Sequence, residues 1–87
     1  MMENIATELN TVKQLGVDEQ QPAVEALLYA EFEKEGMIVE DSVVQNYADR
    51  MVEDLVRNDS DEEITSNDVL IFFSENSYEA SQNAPAA

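Results

Sequence analysis

Apolar residues recur at steps of three and four along most of the chain, which is the spacing that places side chains on one face of a helix. These stripes predict helices over residues 4–15, 19–35, 42–58 and 65–75. The apolar positions of the first three stripes are Ile5, Leu9, Val12, Val24, Leu27, Leu28, Phe32, Val44, Tyr47, Ala48, Met51 and Leu55.

The residues that flank these stripes match the signals for helix ends. Gly16 and Gly36 follow the first and second stripes, where a left-handed residue commonly ends a helix. We therefore expect both glycines to be structural, and neither belongs to a phosphate-binding loop. Three pairs have capping-box spacing: Asp18 with Gln21, Ser42 with Gln45, and Thr65 with Asp68.

The fourth stripe is ambiguous because residues 69–73 are apolar without interruption. Such a run is typical of a buried strand as well as of a buried helix. The Thr65 cap and the staple spacing of Ile64 and Val69 favour a helix. The segment 37–39 is predicted to be an apolar connector that crosses the edge of the core. The sequence thus predicts an all-α, four-helix bundle-like domain over 1–76 with a disordered, flexible tail over 77–87, or an α+β fold if 69–73 is a strand.

The charge changes this picture most. The chain of 87 residues has 20 acidic and 4 basic residues, a formal net charge of −16. Solubility tuning, a halophilic host and partial disorder are alternatives to a functional reason. Phosphate groups repel carboxylates, and the basic residues are scattered, so we expect no direct nucleic acid and no membrane partner. The chain lacks a signal peptide pattern and cysteine, which fits a cytoplasmic protein.

Catalytic chemistry is poorly represented. The chain has no histidine and no cysteine, and it contains neither of the common glycine-rich phosphate motifs. Only carboxylates are left as candidate catalytic groups, and a thin helical domain without tryptophan is a poor scaffold for a sugar-binding cleft. We expect no enzyme activity, no catalytic or metal-binding residues and no cofactor.

The acidic loop that follows the third stripe resembles a degenerate EF-hand, the calcium-binding helix–loop–helix family. With Ile64 as the apolar eighth position, carboxylates occupy positions three, five and twelve: Asp59, Asp61 and Asp68. The chain departs from the family at position one, Arg57, and at position six, Glu62, where the family needs glycine. The preferred interpretation is an acidic loop followed by a helix cap.

The acidic residues also follow the helical repeat. Glu31 and Glu35 are four residues apart, as are Asp49 and Glu53, and such pairs lie ~6 Å apart on a helix. Phosphates along a DNA strand have a similar spacing. Ordinary solvated helix faces mix both signs, whereas these like-charged neighbours cost stability. In composition the chain resembles DNA-mimic proteins, many of them phage- or plasmid-encoded inhibitors such as anti-CRISPR and anti-restriction proteins.

The leading hypothesis is an inhibitor or regulator that occupies the basic groove of a nucleic-acid-binding protein. The predicted contact residues are Glu31, Glu35, Asp49, Glu53, Asp54, Asp59, Asp61, Glu62 and Glu63. Tyr47 or Phe73 is a candidate apolar anchor if it is not buried. The alternative is a structural or interaction subunit, including a homodimer, that associates through 69–73. A calcium-binding module is the third hypothesis.

Overall fold

The fold is all-α. The computed structural model describes residues 2–57 and 62–83, with side chains through residue 76. The helices are α1 (Met2–Val12), α2 (Val17–Lys34), α3 (Asp41–Met51) and α4 (Ser66–Asn83), and a π-helical turn (Val52–Val56) follows α3 directly. No strand occurs in these residues, so the four-helix prediction is confirmed for the described part of the chain.

The helices enclose one apolar core. Helix α1 packs against α2 and α4, and α3 packs against α2 and α4, so every helix contributes to the interior. An aromatic cluster joins α2, α3 and α4, with the rings of Tyr47 and Phe73 5.3 Å apart and those of Phe32 and Tyr47 6.3 Å apart. The largest fully buried side chains are Ile5, Leu9, Val24, Leu28, Val44, Met51 and Val69. Tyr47 therefore belongs to the core, and only the half-buried Phe73 keeps some exposure as a candidate anchor.

The ambiguous run 69–73 is helical and divides between two environments. Val69 and Phe72 are buried, whereas Leu70 is 51% exposed and Ile71 47% exposed. The division follows the helical repeat, since residues three apart lie on the same face. Only part of the run is thus available to a partner.

Helix α2 ends as predicted, with Gly36 in the left-handed region at φ 69°. The Gly36 N–H donates to the Glu33 carbonyl at 3.0 Å, and the Met37 N–H donates to the Phe32 carbonyl at 2.9 Å. These two bonds form a Schellman motif. The prediction for Gly16 is wrong: its φ is −62°, and it is the N-cap of α2 rather than a left-handed end of α1.

Only the third predicted capping box forms. The Thr65 N–H donates to Asp68 Oδ2 at 2.9 Å, and the Asp68 N–H donates to Thr65 Oγ1 at 3.2 Å. Helices α2 and α3 begin earlier than predicted, with Gly16 and Glu40 as N-caps that make no side-chain cap hydrogen bond. Asp18 and Ser42 consequently lie inside their helices, and their predicted capping boxes are wrong.

A side-chain clamp connects α1 to the segment that precedes α4. Asn10 Nδ2 donates to the Ile64 carbonyl at 2.9 Å, and the Ile64 N–H donates to Asn10 Oδ1 at 2.9 Å. Lys13 Nζ donates to the Glu62 carbonyl nearby. The amide of Asn10 thus satisfies both backbone groups of a buried residue, and it fixes the position from which α4 begins.

The predicted third helix changes geometry after Met51. The Arg57 N–H donates to the Val52 carbonyl at 2.9 Å, a bond that spans five residues instead of four. A π turn inserts about one extra residue into the helical repeat. The inward position therefore moves from Leu55, which is half-buried, to Val56, which is buried.

The connector 37–39 and the C-terminal end of α4 both differ from the prediction. In the connector 37–39, Val39 packs against the core, but Met37 and Ile38 are exposed, so the segment does not cross the core edge as predicted. Helix α4 continues to Asn83, beyond its predicted end, and residues 84–87 of the predicted tail lie outside the described residues.

We expect Asn10→Ala to lower the free energy of unfolding by about 1 to 3 kcal/mol, because it leaves the Ile64 backbone groups without their partners. Urea denaturation followed by circular dichroism measures the change. The control is Asn46→Ala at an exposed position of α3, for which a change within about 0.5 kcal/mol is expected. Equal effects of the two substitutions would contradict the structural role of the clamp.

We expect stability at position 36 to decrease in the order Gly, Asn, Ala, with Gly36→Ala costing about 1 kcal/mol because of its left-handed backbone. Asparagine tolerates this conformation better than alanine does. No atom beyond Gly36 and its two chain neighbours lies within 4 Å of a Cβ built there, so contact with the rest of the fold is not a cause. Thermal unfolding of the three proteins tests the order, and an alanine variant as stable as the parent contradicts it.

Candidate binding site

A cleft opens between the π turn and the first turns of α4. Its volume is about 370 Å³. The segment that leads into α4 lines it near the start of that helix, and Asn76 lines it ten residues further along α4 than Ser66. The lining residues are Asp54, Leu55, Glu62, Glu63, Ile64, Asp68, Ile71, Phe72, Glu75 and Asn76.

The floor of the cleft is apolar. Ile64 and Phe72 belong to the buried core, Leu55 is half-buried, and Ile71 keeps about half of its surface exposed. Leu55 reaches the cleft because the π turn gives its place in the core to Val56. The cleft is therefore an extension of the core that is open to solvent.

The rim of the cleft carries only negative side chains. Five carboxylates line it, and none of the described lining residues is basic. One of them, Asp68, also accepts the cap bond from the Thr65 N–H, so its orientation is fixed. The rim consists of Asp54, Glu62, Glu63, Asp68 and Glu75.

Hydrogen bonds hold both ends of the cleft in place. At one end, Asn10 and Lys13 of α1 bind the backbone of Ile64 and Glu62. At the other, Arg50 Nη1 of α3 donates to Asn76 Oδ1 at 3.0 Å, and Asn76 Nδ2 donates to the Phe72 carbonyl at 2.8 Å. Neighbouring helices thus fix the cleft on both sides.

The structure brings together three of the residues predicted to contact a partner. Asp54, Glu62 and Glu63 come from two segments and all line the cleft. Asp49 and Glu53 lie together in a separate shallow depression of about 330 Å³, where Arg57 is also present. Five of the predicted carboxylates therefore line two depressions of the described surface, and the exposed Glu35 lines neither.

Glu31 corrects one prediction, because it is only 3% exposed. Its Oε1 accepts hydrogen bonds from Asn4 Nδ2 and, at 3.4 Å, from Lys34 Nζ. The prediction treated Glu31 and Glu35 as a surface pair. Helix α2 ends between them, so Glu35 is exposed at the C-cap while Glu31 faces α1. Glu31 therefore has a structural role in joining α1 to α2.

The structure describes part of the acidic loop. Asp59 and Asp61, two of the predicted contacts, lie outside the described residues. Asp68, the proposed twelfth position of the EF-hand pattern, serves as a capping residue. Among the residues that the structure describes, no three potential ligands are grouped so that they could hold a metal ion.

The four basic residues all donate hydrogen bonds within the fold. Lys13 binds a backbone carbonyl, Lys34 binds Glu31, and Arg50 binds Asn76. Arg57 Nε donates to Gln20 Oε1 at 3.2 Å, and its Nη2 donates to the Val17 carbonyl at 3.4 Å. Within 2–57 and 62–76, Glu31 is the only carboxylate within ion-pair distance of a cation. Most of the described carboxylates are exposed, and these exposed carboxylates lie beyond ion-pair distance of the described cations.

Sequence reasoning missed Asp68 and Glu75 as parts of the rim and Ile71 as part of the floor. A signal for them existed, because residues 68, 71, 72 and 75 follow one helical face. No pattern in the sequence indicated that Leu55 lines the cleft, because its position there depends on the π turn.

A second, apolar groove of about 400 Å³ lies at the junction of α2 and α3. Phe32 and Val44 form its buried side, and the exposed Met37 and Ile38 form its outer side.

Tyr29 borders this groove, and its Oη donates to Asp41 Oδ1 at 2.7 Å. This bond is the main reason why the pKa of Tyr29 is raised above its ordinary value of 10.0, and desolvation and the charges of Asp41 and Glu25 act in the same direction.

In the part of the chain that the structure describes, no helix has the length and apolar character needed to cross a bilayer. Comparisons with protein-family models, with curated proteins and with solved structures find no match. The function proposed for the cleft is therefore argued from the charge and exposure of its lining residues.

We expect the phenol of Tyr29 to titrate above pH 10.0 and its pKa to fall in Asp41→Asn, which removes the negative charge. The folded chain holds this proton more tightly than the unfolded chain. The resulting stabilisation is complete below pH about 10 and is lost as the pH rises through the folded-state pKa. Absorbance at 295 nm, taken as the difference from Tyr29→Phe, measures the titration. A midpoint at or below the ordinary value contradicts the prediction.

Proposed function

We propose that this chain binds a cationic protein surface, of the kind that nucleic-acid-binding proteins present to phosphates, and thereby inhibits or regulates its partner. The observation that supports this most is the carboxyl-rimmed cleft, which has no basic residue among its described lining side chains. A DNA-mimic inhibitor, such as an anti-CRISPR or anti-restriction protein, is the specific form of this proposal.

The distribution of basic residues supports the proposal. A fold that used its few cations to neutralise surface carboxylates would lower its self-repulsion. Here Arg57 donates to the side-chain amide oxygen of Gln20 instead, and the chain has 20 acidic residues against 4 basic ones. The surface field is therefore strongly negative. A negative field of this kind speeds the encounter with a positive partner and adds specificity.

The pair Asp49 and Glu53 supports the mimicry of phosphates in particular. Both are exposed, and they line the same depression one helical turn apart. A basic groove built for a duplex places its Lys and Arg side chains at the phosphate repeat. Carboxylates at about 6 Å intervals suit such a groove.

Association through apolar surface is the second candidate, because Leu70 and Ile71 are both about half exposed on α4. A homodimer formed there has a disadvantage, since it places two carboxyl rims near each other. Size-exclusion chromatography with light scattering tests it. A dimer that dissociates on Leu70→Asp would favour this candidate.

We expect the chain to displace labelled duplex DNA from purified basic DNA-binding proteins in a fluorescence anisotropy assay, with potency that falls at least tenfold between 50 and 200 mM salt, which is the order expected when several charge pairs are screened. The test variant neutralises five carboxylates of the two acidic groups: Asp49→Asn, Glu53→Gln, Asp54→Asn, Glu62→Gln and Glu63→Gln. We expect it to lose at least tenfold in potency.

The matched control removes the same charge from exposed positions of α1 and α2: Glu3→Gln, Glu8→Gln, Asp18→Asn, Glu19→Gln and Glu33→Gln. We expect a smaller loss, since only the long-range field changes. A basic protein with no nucleic-acid site serves as a second control. Displacement that is independent of salt, or equal for both variants, would refute the proposed surface.

A further inference from the structure

We infer that the cleft between the π turn and α4 accepts one face of a basic amphipathic helix from the partner protein. The apolar side chains of that helix contact the floor, and its Lys and Arg side chains pair with the rim. This inference rests on the proposed function, because it names the part of a cationic partner that is bound and the surface that binds it.

The floor defines the first requirement on the occupant. Ile71 is 47% exposed, and Leu55 across the cleft is half-buried, so apolar surface remains in contact with water. Covering such surface is favourable by roughly 25 cal/mol per Å². The volume of about 370 Å³ is within the range of ordinary ligand pockets and is enough for a few aliphatic side chains. A purely hydrophilic partner, such as a lysine-rich disordered tail, would leave the apolar floor exposed to solvent.

The rim defines the second requirement. A neutral apolar segment that filled the cleft would remove water from Asp54, Glu62, Glu63 and Glu75 without replacing its hydrogen bonds, which is costly. Lys and Arg side chains carry a long apolar stem and a charged end. They can therefore cover the edge of the floor and still reach the rim carboxylates.

The secondary structure of the occupant follows from the walls of the cleft. The π turn and α4 satisfy their own backbone hydrogen bonds, and the described residues contain no strand edge to which an extended peptide could add. A helix brings its backbone bonds with it and presents apolar and basic side chains on one face. This is the recognition of an amphipathic helix in a groove.

The chain itself offers no suitable occupant. Its four cations, Lys13, Lys34, Arg50 and Arg57, all donate within the fold, and residues 77–87 contain no Lys or Arg. A second copy would bring its own negative surface to the rim. Charge complementarity therefore selects another protein.

The test uses a fluorescein-labelled 18-residue peptide of lysine and leucine with its leucines on one helical face. A sequence isomer of the same composition, with the leucines spread around the helix, is the control peptide. Fluorescence anisotropy measures the dissociation constants with the intact chain. We expect at least tenfold tighter binding of the amphipathic peptide than of its isomer, because only the former reaches floor and rim together.

Adjacent residues of α4 provide a matched pair of variants. Ile71 lines the cleft and Leu70 does not, although the two are similarly exposed. We expect Ile71→Ser to weaken binding of the amphipathic peptide about five- to tenfold and Leu70→Ser to change it less than twofold. Both side chains are at the surface, so both variants should fold, which circular dichroism verifies.

A second pair of variants tests the rim. Glu62→Gln with Glu63→Gln should weaken binding more than Asp18→Asn with Glu19→Gln, which removes equal charge from an exposed site on α2. Amide chemical shifts in ¹⁵N spectra should change around residues 54–55 and 62–76 when the peptide is added. Shifts confined to other regions would overturn the inference whatever the affinity.

The outcomes separate this inference from the proposed function. Salt-dependent binding of both peptides with equal affinity, and equal effects of Ile71→Ser and Leu70→Ser, would overturn the cleft as the docking site while leaving a cationic partner. Failure to bind either peptide or any basic DNA-binding protein would overturn both. A dimer by light scattering that Ile71→Ser dissociates would identify a second copy as the occupant and reject the basic helix.

Discussion

The amide of Asn10 occupies a central place in this fold because it binds both backbone groups of Ile64. Through this contact α1 determines where the chain enters α4, and the entry point determines the position of the whole helix against the core. The reciprocal cap between Thr65 and Asp68 then begins the helix one residue later. The cleft, the aromatic cluster and the exposure of Ile71 all depend on this placement of α4.

Self-repulsion makes such polar contacts important. With a formal charge of −16 on 87 residues, a compact state gathers negative charge that an unfolded chain would spread out. The core of a domain this small contributes a limited stabilisation. The cations reinforce the junctions between helices: Arg57 joins the π turn to α2, and Arg50 joins α3 to α4. The chain thus combines a strongly negative exterior with junctions held by hydrogen bonds to neutral oxygens.

Much of the architecture could be predicted from the sequence, because amphipathic stripes and the cap at Thr65 depend on residues that are close to one another in the chain. The stripes of Ile5, Leu9 and Val12 and of Val24, Leu28 and Phe32 are buried as expected. Gly36 adopts the left-handed conformation, whereas Gly16 does not, since a glycine between two helices can serve either end. Identity and spacing alone do not distinguish these two uses.

The candidate site was less predictable, because it depends on how segments meet. Asp54, Glu62 and Glu63 were expected to contact a partner and now lie around one cleft, but Glu31 turned inward to meet Asn4. A tertiary contact of that kind leaves no trace in the pattern of a single helix. Asp68, Ile71 and Glu75 follow a helical face that could be drawn in advance, yet its importance depends on Leu55 across the cleft.

The wider turn at Val52–Val56 determines which of two adjacent aliphatic side chains meets solvent. With regular α-helical geometry Leu55 would continue the inward stripe of Met51. The cleft beside α4 would then lose one of its apolar lining side chains. One additional residue per turn moves Val56 inward instead. Loss or gain of a single residue here would therefore exchange which side chains face the interior and which face solvent. The hydrogen-bonding geometry of this single turn therefore determines how much apolar surface is exposed beside α4.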